Sequence, residues 1–207
     1  MRGVIITAYV SGKISHLIED GDYIICADKG FKIAEKNGIV PQVTIGDMDS
    51  ANGERPKDCL FLKFPIEKDD TDTGLCLKHA IEKGIKNVLI IGGVGGRADH
   101  TYANIQTLAY AAQRGVRAKI VSENTVMMML LPGTERIKKQ ENSFISVFSY
   151  SPESTGVTIR GTKYETENAT LTYGFPLGVS NEFRADYAQI SHTSGMLLVI
   201  VAKENKN

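Results

Sequence analysis

In the first half of the chain, short apolar runs alternate with stretches of helical period. Residues 4–8, 23–27, 43–45, 60–64, 88–91 and 119–121 read as strands. Between them, 31–37 reads as a short helix stopped by Gly38, with Pro41 beyond it. A second helix, from Thr71 or Asp72 to Lys83, carries Leu77, Ala80 and Ile81 on one face and ends at Gly84. A third, 99–114, places Ile105, Leu108, Ala109 and Ala112 at helical spacing and stops at Gly115. The uninterrupted apolar run 88–91 is of the kind buried on both faces of a parallel sheet. Alternation of this sort predicts an open parallel sheet covered by helices.

After about residue 123 the rhythm changes. Short β-rich runs at 126–131, 144–148, 157–159, 170–172, 188–191 and 197–201 are separated by Pro132-Gly133, Ser151-Pro152, Gly161, Gly174, Pro176 and Gly178. No helical period of useful length survives there, so this half is expected to be an antiparallel β-sandwich or small barrel. The fold class is therefore α/β plus β, with an N-terminal domain over 1–125 and a C-terminal β-sandwich over 126–207. No linker-like composition marks the boundary.

Composition narrows the partners more than the fold. Lys plus Arg and Asp plus Glu both total 24, so no overall charge draws the chain to nucleic acid or to an anionic membrane. No apolar run approaches bilayer-spanning length, and Met1-Arg2-Gly3-Val4 begins a strand rather than a signal peptide. Three widely spaced cysteines (Cys26, Cys59, Cys76) suggest neither a disulfide frame nor a zinc site, and Cys76 with His79 on one helix face makes only two ligands. A cytoplasmic chain is expected. The run Met127–Met129 reads as packing rather than as a ligand set.

The candidate chemistry sits where strands end. Strand 23–27 leads into Asp28-Lys29-Gly30, and strand 43–45 into Gly46-Asp47-Met48-Asp49-Ser50. Strand 60–64 leads into Glu67-Lys68-Asp69-Asp70-Thr71-Asp72, and strand 88–91 into Gly92-Gly93-Val94-Gly95-Gly96-Arg97-Ala98-Asp99-His100. In a parallel sheet all these ends lie on one edge, where ligands collect. Singly, each acid is an ordinary turn or cap residue, and Asp72 and Asp99 fall where caps are expected. Jointly, Asp28, Asp47, Asp49, Asp70, Asp72 and Asp99 crowd more negative charge into one cleft than folding tolerates without a cation. Hard divalent cations such as Mg²⁺ favour that donor set. Lys68 and Arg97 can meet phosphate, and the glycines around Val94 let backbone approach it at a helix N-terminus. Gly93–Ala98 also matches G-x-G-x-x-A, a dinucleotide fingerprint, but in a late βα turn and without an acid at the expected distance. It lacks the order of a P-loop.

These ordered motifs resemble the thiamine pyrophosphokinase (thiamin diphosphokinase) family. Cys26-Ala27-Asp28, Gly46–Ser50, Glu67–Asp72 and Gly96–His100 carry the likeness in the first half. In the second, Gly161-Thr162-Lys163-Tyr164, Glu167–Leu171 and Gly178-Val179-Ser180-Asn181-Glu182-Phe183 are similar to its bacterial branch. The resemblance implies diphosphate transfer from ATP, with Mg²⁺, to the thiamine hydroxyl, releasing AMP. It implies a homodimer with the thiamine site where subunits meet. Asp47, Asp49 and Asp72 are then metal-centred carboxylates with Asp28 close by. Lys68, Thr71 and Arg97 contact ATP beside Gly93 and Gly96, and Asp99, Ser180 and Asn181 lie near thiamine. Without the resemblance, Gly178, Ser180 and Asn181 read as turn residues. Two departures stand out: Lys29 replaces a more usual glycine, and Gly74 replaces a common acid. The chain has no Trp, so another surface must meet the thiamine ring. A non-catalytic nucleotide- or thiamine-binding regulator and a metal-dependent phosphohydrolase are the other readings.

Overall fold

The apolar runs of the first half pair side by side as parallel strands. In the computed structural model, which describes residues 1–47, 59–63 and 70–204, the chain divides into two units, Met1–Glu123 and Asn124–Asn207. The first contains β1 (Gly3–Ile6), β2 (Tyr23–Ala27), β3 (Val43–Gly46), β4 (Leu60–Lys63), β5 (Asn87–Ile91) and β6 (Arg117–Val121). Their order is β6-β5-β1-β2-β3-β4, with every neighbouring pair parallel. Strand β1 sits between β5 and β2, so the direction of strand progression reverses beside it. Such a reversal opens a crevice at the carboxyl ends of the strands.

Alternation along the strands supplies both faces of this sheet. Val4, Ile6, Ile24, Cys26, Leu89 and Ile91 form one core with Phe31 and Ala34 of α1 (Gly30–Lys36). Their neighbours Ile5, Ile25 and Ile90 point the other way and are fully buried too. Helix α2 (Asp72–Glu82) packs on β1, β2 and β3 and against α3 (Ala98–Gln113). The helix caps lie slightly earlier than the sequence suggests. Thr71 caps α2, its Oγ1 accepting from the Gly74 amide at 3.0 Å, while Asp72 is the first helical residue. Arg97 occupies the cap position of α3 without a side-chain capping bond, and Asp99 lies inside its first turn.

Among its described residues, the second unit is all β. Strands β7 (Thr125–Leu130), β9 (Ser143–Ser149), β12 (Gly178–Glu182) and β14 (Leu197–Lys203) pair antiparallel in the order β12-β9-β14-β7. Strands β8 (Gly133–Lys138), β10 (Glu153–Arg160), β11 (Thr166–Thr172) and β13 (Tyr187–His192) pair in the order β11-β10-β13-β8. One core cluster takes Met128, Ile145, Val147, Leu197 and Val199 from the first set and Ile137, Val157, Leu171 and Ile190 from the second. Two layers closed over shared inward-facing residues make a β-sandwich.

Strands β8 and β12 extend the sequence expectation. Pro132-Gly133 and Gly178-Ser180-Asn181 read as turns, yet Gly133 and Gly178 begin strands. Each strand has one aliphatic residue, Ile137 or Val179, so neither shows an alternating pattern. Backbone pairing with β13 and β9 holds them instead.

The sandwich also contains an acid-sensitive group. His192 ends β13, is buried, and its Nε2 finds no hydrogen-bond partner among the described residues. Burial holds its pKa below the ordinary 6.5. The unfolded chain therefore takes up this proton first as pH falls. Its contribution is fully present above pH about 6.5 and is lost on descent through that value towards the lower folded value. His192→Leu is expected to flatten the change in denaturation midpoint between about pH 7 and pH 5.5. An unaltered slope would assign the acid sensitivity to other groups.

Candidate active site

Close backbone approach builds the acidic edge of the first unit. Asp28 follows β2 in a left-handed conformation, φ 45°, one that Asp tolerates better than most residues. Its amide donates to the Ile45 carbonyl at 2.8 Å, which ties the loop after β2 to the end of β3. Gly46 makes this contact fit, because a Cβ there would lie 3.0 Å from Asp28 Cα. Asp47 follows directly, half-buried, so Asp28 and Asp47 leave adjacent strands at the same edge. Gly30 allows α1 to start against β1, since a Cβ at that position would stand 2.0 Å from the Ile6 carbonyl oxygen. Lys29, the first of the two departures, is the half-buried residue before that helix.

Helix α2 begins on this edge. It brings Thr71 and Asp72 there, both half-buried. Asp70 folds its carboxylate back over the first turn of α2, into space that any side chain at position 74 would need. That accounts for Gly74. Asp49 and Lys68 lie outside the described residues.

The glycine loop after β5 is folded onto the loop after β1. The Gly93 amide donates to the Tyr9 carbonyl at 3.1 Å, and Asn104 of α3 donates its buried amide to the Gly93 carbonyl at 2.8 Å. Thr7 Oγ1 donates to Ile91 at 3.0 Å. Cβ atoms on Gly95 and Gly96 would stand 3.2 and 3.0 Å from the Tyr9 ring, so that ring lies against the loop. Thr7, Tyr9 and Asn104 are site-shaping residues that the sequence analysis missed. No motif marks them, and only the position of β1 beside β5 brings the two loops together. The Gly93 amide is thus already committed, whereas Gly96 lies exposed at the rim.

Arg97 and Asp99, expected to face different substrates, face each other. Arg97 Nε and Nη2 donate to the two Asp99 oxygens at 3.1 and 2.6 Å, and the His100 amide adds a bond of 3.0 Å. Hydrogen bonding to Asp99 raises the Arg97 pKa, and hydrogen bonding to Arg97 lowers that of Asp99. Both side chains are exposed, so solvent screens the pair and exchange of either partner for a ligand is inexpensive.

In the second unit, Ser180 and Asn181 differ sharply. Ser180 is exposed, with φ 55°, where the pairing of β12 with β9 slips register. A bulge of this kind re-aims a side chain. Asn181 is buried, and its amide is fully used. Its Oδ1 accepts from the amides of Tyr164 and Glu182 at 2.9 and 3.0 Å, while Nδ2 donates to Tyr164 O and Thr162 Oγ1 at 2.7 and 3.1 Å. Four bonds exhaust the usual capacity of an Asn side chain. They clamp both backbone polar groups of Tyr164, a residue that is 65% exposed. Exposed aromatic residues need no explanation singly. One whose backbone is fixed at both ends is a built surface, and Tyr164 ends the Gly161–Tyr164 motif, which by itself gives that residue no role.

An α/β unit gathering acids, a glycine loop and an Arg at one sheet edge, with a β-sandwich following, defines a phosphate-handling class of protein. The family model for the thiamin pyrophosphokinase catalytic domain matches residues 14–120, and that for the vitamin B1 binding domain matches 134–197. The chain belongs to the thiamin pyrophosphokinase family. It is 33% identical to thiamine pyrophosphokinase of Bacillus subtilis (strain 168) over 183 residues, 85% of each chain. Among solved structures, a thiamine pyrophosphokinase from Bacillus subtilis matches with a TM-score of 0.90 at 28% identity, over 99% of this chain and 100% of the other. A thiamin pyrophosphokinase family protein from Enterococcus faecalis matches with a TM-score of 0.83 at 25% identity, again over 99% and 100%.

Proposed function

We propose that the chain transfers the terminal diphosphate of ATP to the hydroxyl of thiamine, giving thiamine diphosphate and AMP. One observation carries the reading. In a chain of this family, Asp28, Asp47 and the Thr71-Asp72 turn issue from the same sheet edge as the glycine loop that ends in Arg97. The proposed division of labour gives nucleotide and metal to residues 1–125, and thiamine and dimerisation to residues 126–207.

An alcohol is a weak nucleophile, so transfer of this type depends on positioning and on neutralising phosphate charge. Arg97, released from Asp99, offers a bidentate fork to phosphate, and Lys68 a mobile point charge. Asp28 and Thr71 border the nucleotide. Gly93 leaves room for the Asn104 side chain that holds the loop beside the nucleotide, and Gly96 brings backbone to the rim. The oxygen at thiamine forms its bond to the β-phosphorus as the bond between that phosphorus and the α,β-bridging oxygen breaks. AMP leaves, and a carboxylate of the acidic set takes the hydroxyl proton.

The donor chemistry fits a hard divalent cation. Asp47, Asp49 and Asp72 are the proposed ligands, all oxygen donors. Mg²⁺ favours such donors and usually completes its shell with water and substrate phosphates. Bound there, the ion would offset charge developing on the phosphate oxygens.

Asp99 is the proposed thiamine-side carboxylate of the first unit. In the second, Ser180 presents its hydroxyl from the bulge, and Asn181 acts by fixing Tyr164. Tyr164 is the proposed aromatic surface for the thiamine ring in a chain without Trp. Tyr164→Ala is expected to raise the KM for thiamine about tenfold and to leave the KM for ATP unchanged, with Tyr164→Phe close to wild type. Equal KM values for thiamine in all three would remove Tyr164 from the site.

The partner is a second copy of the chain, with the active site where subunits meet. Tyr173, Phe175, Leu177 and Val179 are exposed in one short stretch, and burying such a stretch favours association. The cytoplasm, which supplies ATP and keeps free cysteines such as Cys26 and Cys76 reduced, is the proposed compartment. Product analysis tests the activity. Incubation with ATP, Mg²⁺ and thiamine should give AMP and thiamine diphosphate in equal amounts. Release of ADP or free phosphate in their place would sink the claim.

A further inference from the structure

Gly74 lies in the first turn of α2, where glycine is unfavourable and its backbone, not being left-handed, does not require one. Space does require it. A Cβ at Gly74 would stand 2.2 Å from Asp70 Oδ1 and 3.2 Å from Asp70 Cγ. Asp70 precedes the helix, yet its carboxylate is bound over the turn. Its Oδ1 accepts from the Thr71 amide at 3.0 Å, and its Oδ2 meets Lys78 Nζ at 2.5 Å. Lys78 in turn lies 5.6 Å from the centroid of the Tyr110 ring of α3, and the Arg114 guanidinium carbon lies 3.4 Å from the same centroid. Asp70 thus fills the volume of a side chain at position 74. It also takes the partner, Lys78, that an acid at 74 would meet four residues on.

We propose that Asp70 is a positioning residue of the phosphate-donor site: bridged to Lys78 across Gly74, it fixes the turn from which Thr71 and Asp72 face the nucleotide. The inference rests on the placing of Thr71 and Asp72 in that site. The Asp70 carboxylate holds the Thr71 amide, and the Thr71 hydroxyl holds the Gly74 amide. Asp72 lies between these two bonds, so its backbone is tied on both sides. Small displacements of Thr71 and Asp72 weaken their hold on the nucleotide and its cation, because those contacts depend on placement.

Asp70→Ala is expected to raise the KM for ATP, and the Kd for ADP with Mg²⁺, about tenfold, with kcat within about threefold. Gly74→Glu added to Asp70→Ala returns a carboxylate opposite Lys78 and should recover most of that loss. Gly74→Ala alone deletes no group. It displaces the Asp70 carboxylate and should raise KM and Kd similarly, although alanine favours the helix. A merely structural Asp70 would lower the unfolding temperature and leave KM and Kd at wild-type values. That outcome in Asp70→Ala, or in Gly74→Ala should the first chain not fold, overturns the proposal. Calorimetry with ADP needs no thiamine. If the wild-type chain made no thiamine diphosphate, the activity assignment would fail, and the positioning role would still stand or fall on the ADP affinities of the variants.

Discussion

Asp47→Asn is expected to lower kcat/KM by about a thousandfold while leaving the fold intact, the scale on which a lost charge-stabilising group acts in transfer chemistry. The two halves of that result have separate causes. Asn has nearly the shape of Asp and is equally at home after a strand, so the backbone at Gly46 and Asp47 keeps its path. The tie between β2 and β3 runs through the Asp28 amide and the Ile45 carbonyl, which the substitution does not touch. What changes is charge. An amide oxygen is a much poorer ligand for Mg²⁺ than a carboxylate, and the acidic edge loses one of the proposed ligands of a divalent cation. Steady-state kinetics at saturating Mg²⁺, with a thermal melt of the same preparation, reads both halves. Near-normal turnover would mean that the acidic turn after β3 is structural.

Gly92→Ala is expected to destabilise the first unit by about 3 kcal/mol or more, as the sum of a backbone penalty and an overpacking penalty. Gly92 follows β5 with φ 84°, a conformation that costs an L-residue roughly 1–2 kcal/mol. An added Cβ would also stand 2.2 Å from the Tyr9 carbonyl oxygen and 2.6 Å from Thr7 Oγ1. The first of these is backbone, which cannot swing aside as a side chain does. The Gly92 amide meanwhile donates to the Val121 carbonyl at 2.8 Å, so the residue cannot move away without breaking that bond. Chemical denaturation followed by far-ultraviolet circular dichroism measures the loss. A change under about 1 kcal/mol, the common range for a surface substitution, would show that the loops after β1 and β5 are not rigidly joined. Gly95→Ala separates the two penalties: its φ of 93° carries the same backbone cost, while its nearest neighbour is an atom of the Tyr9 ring at 3.2 Å, which can rotate away.

Much of the fold was legible because burial imposes a period. Strands such as β5, apolar at every central position, and helices such as α3, apolar along one stripe, announce themselves from sequence. Strands β8 and β12 do not. With one aliphatic residue each, they are held by hydrogen bonds to neighbours far along the chain, and no local pattern encodes those. The candidate site divides in the same way. The acids at strand ends were readable, since residue type and position after a strand are local facts. Their interactions were not. Nothing in the sequence pairs Arg97 with Asp99, spends the whole amide of Asn181 on Thr162, Tyr164 and Glu182, or lays the Asp70 carboxylate over Gly74.

The sequence by itself determined the two kinds of domain, the family, and a set of carboxylates and cations suited to a metal and a phosphate chain. Only the tertiary structure decided that β1 lies between β5 and β2, and hence that Thr7 and Tyr9 support the glycine loop. Likewise, only the tertiary structure decided that Gly30, Gly46, Gly74 and Gly92 are small because another group needs their space. The physical reason is range. Period and capping arise from neighbours within a few residues, whereas close packing and hydrogen-bond satisfaction depend on whatever atoms the folded chain brings alongside.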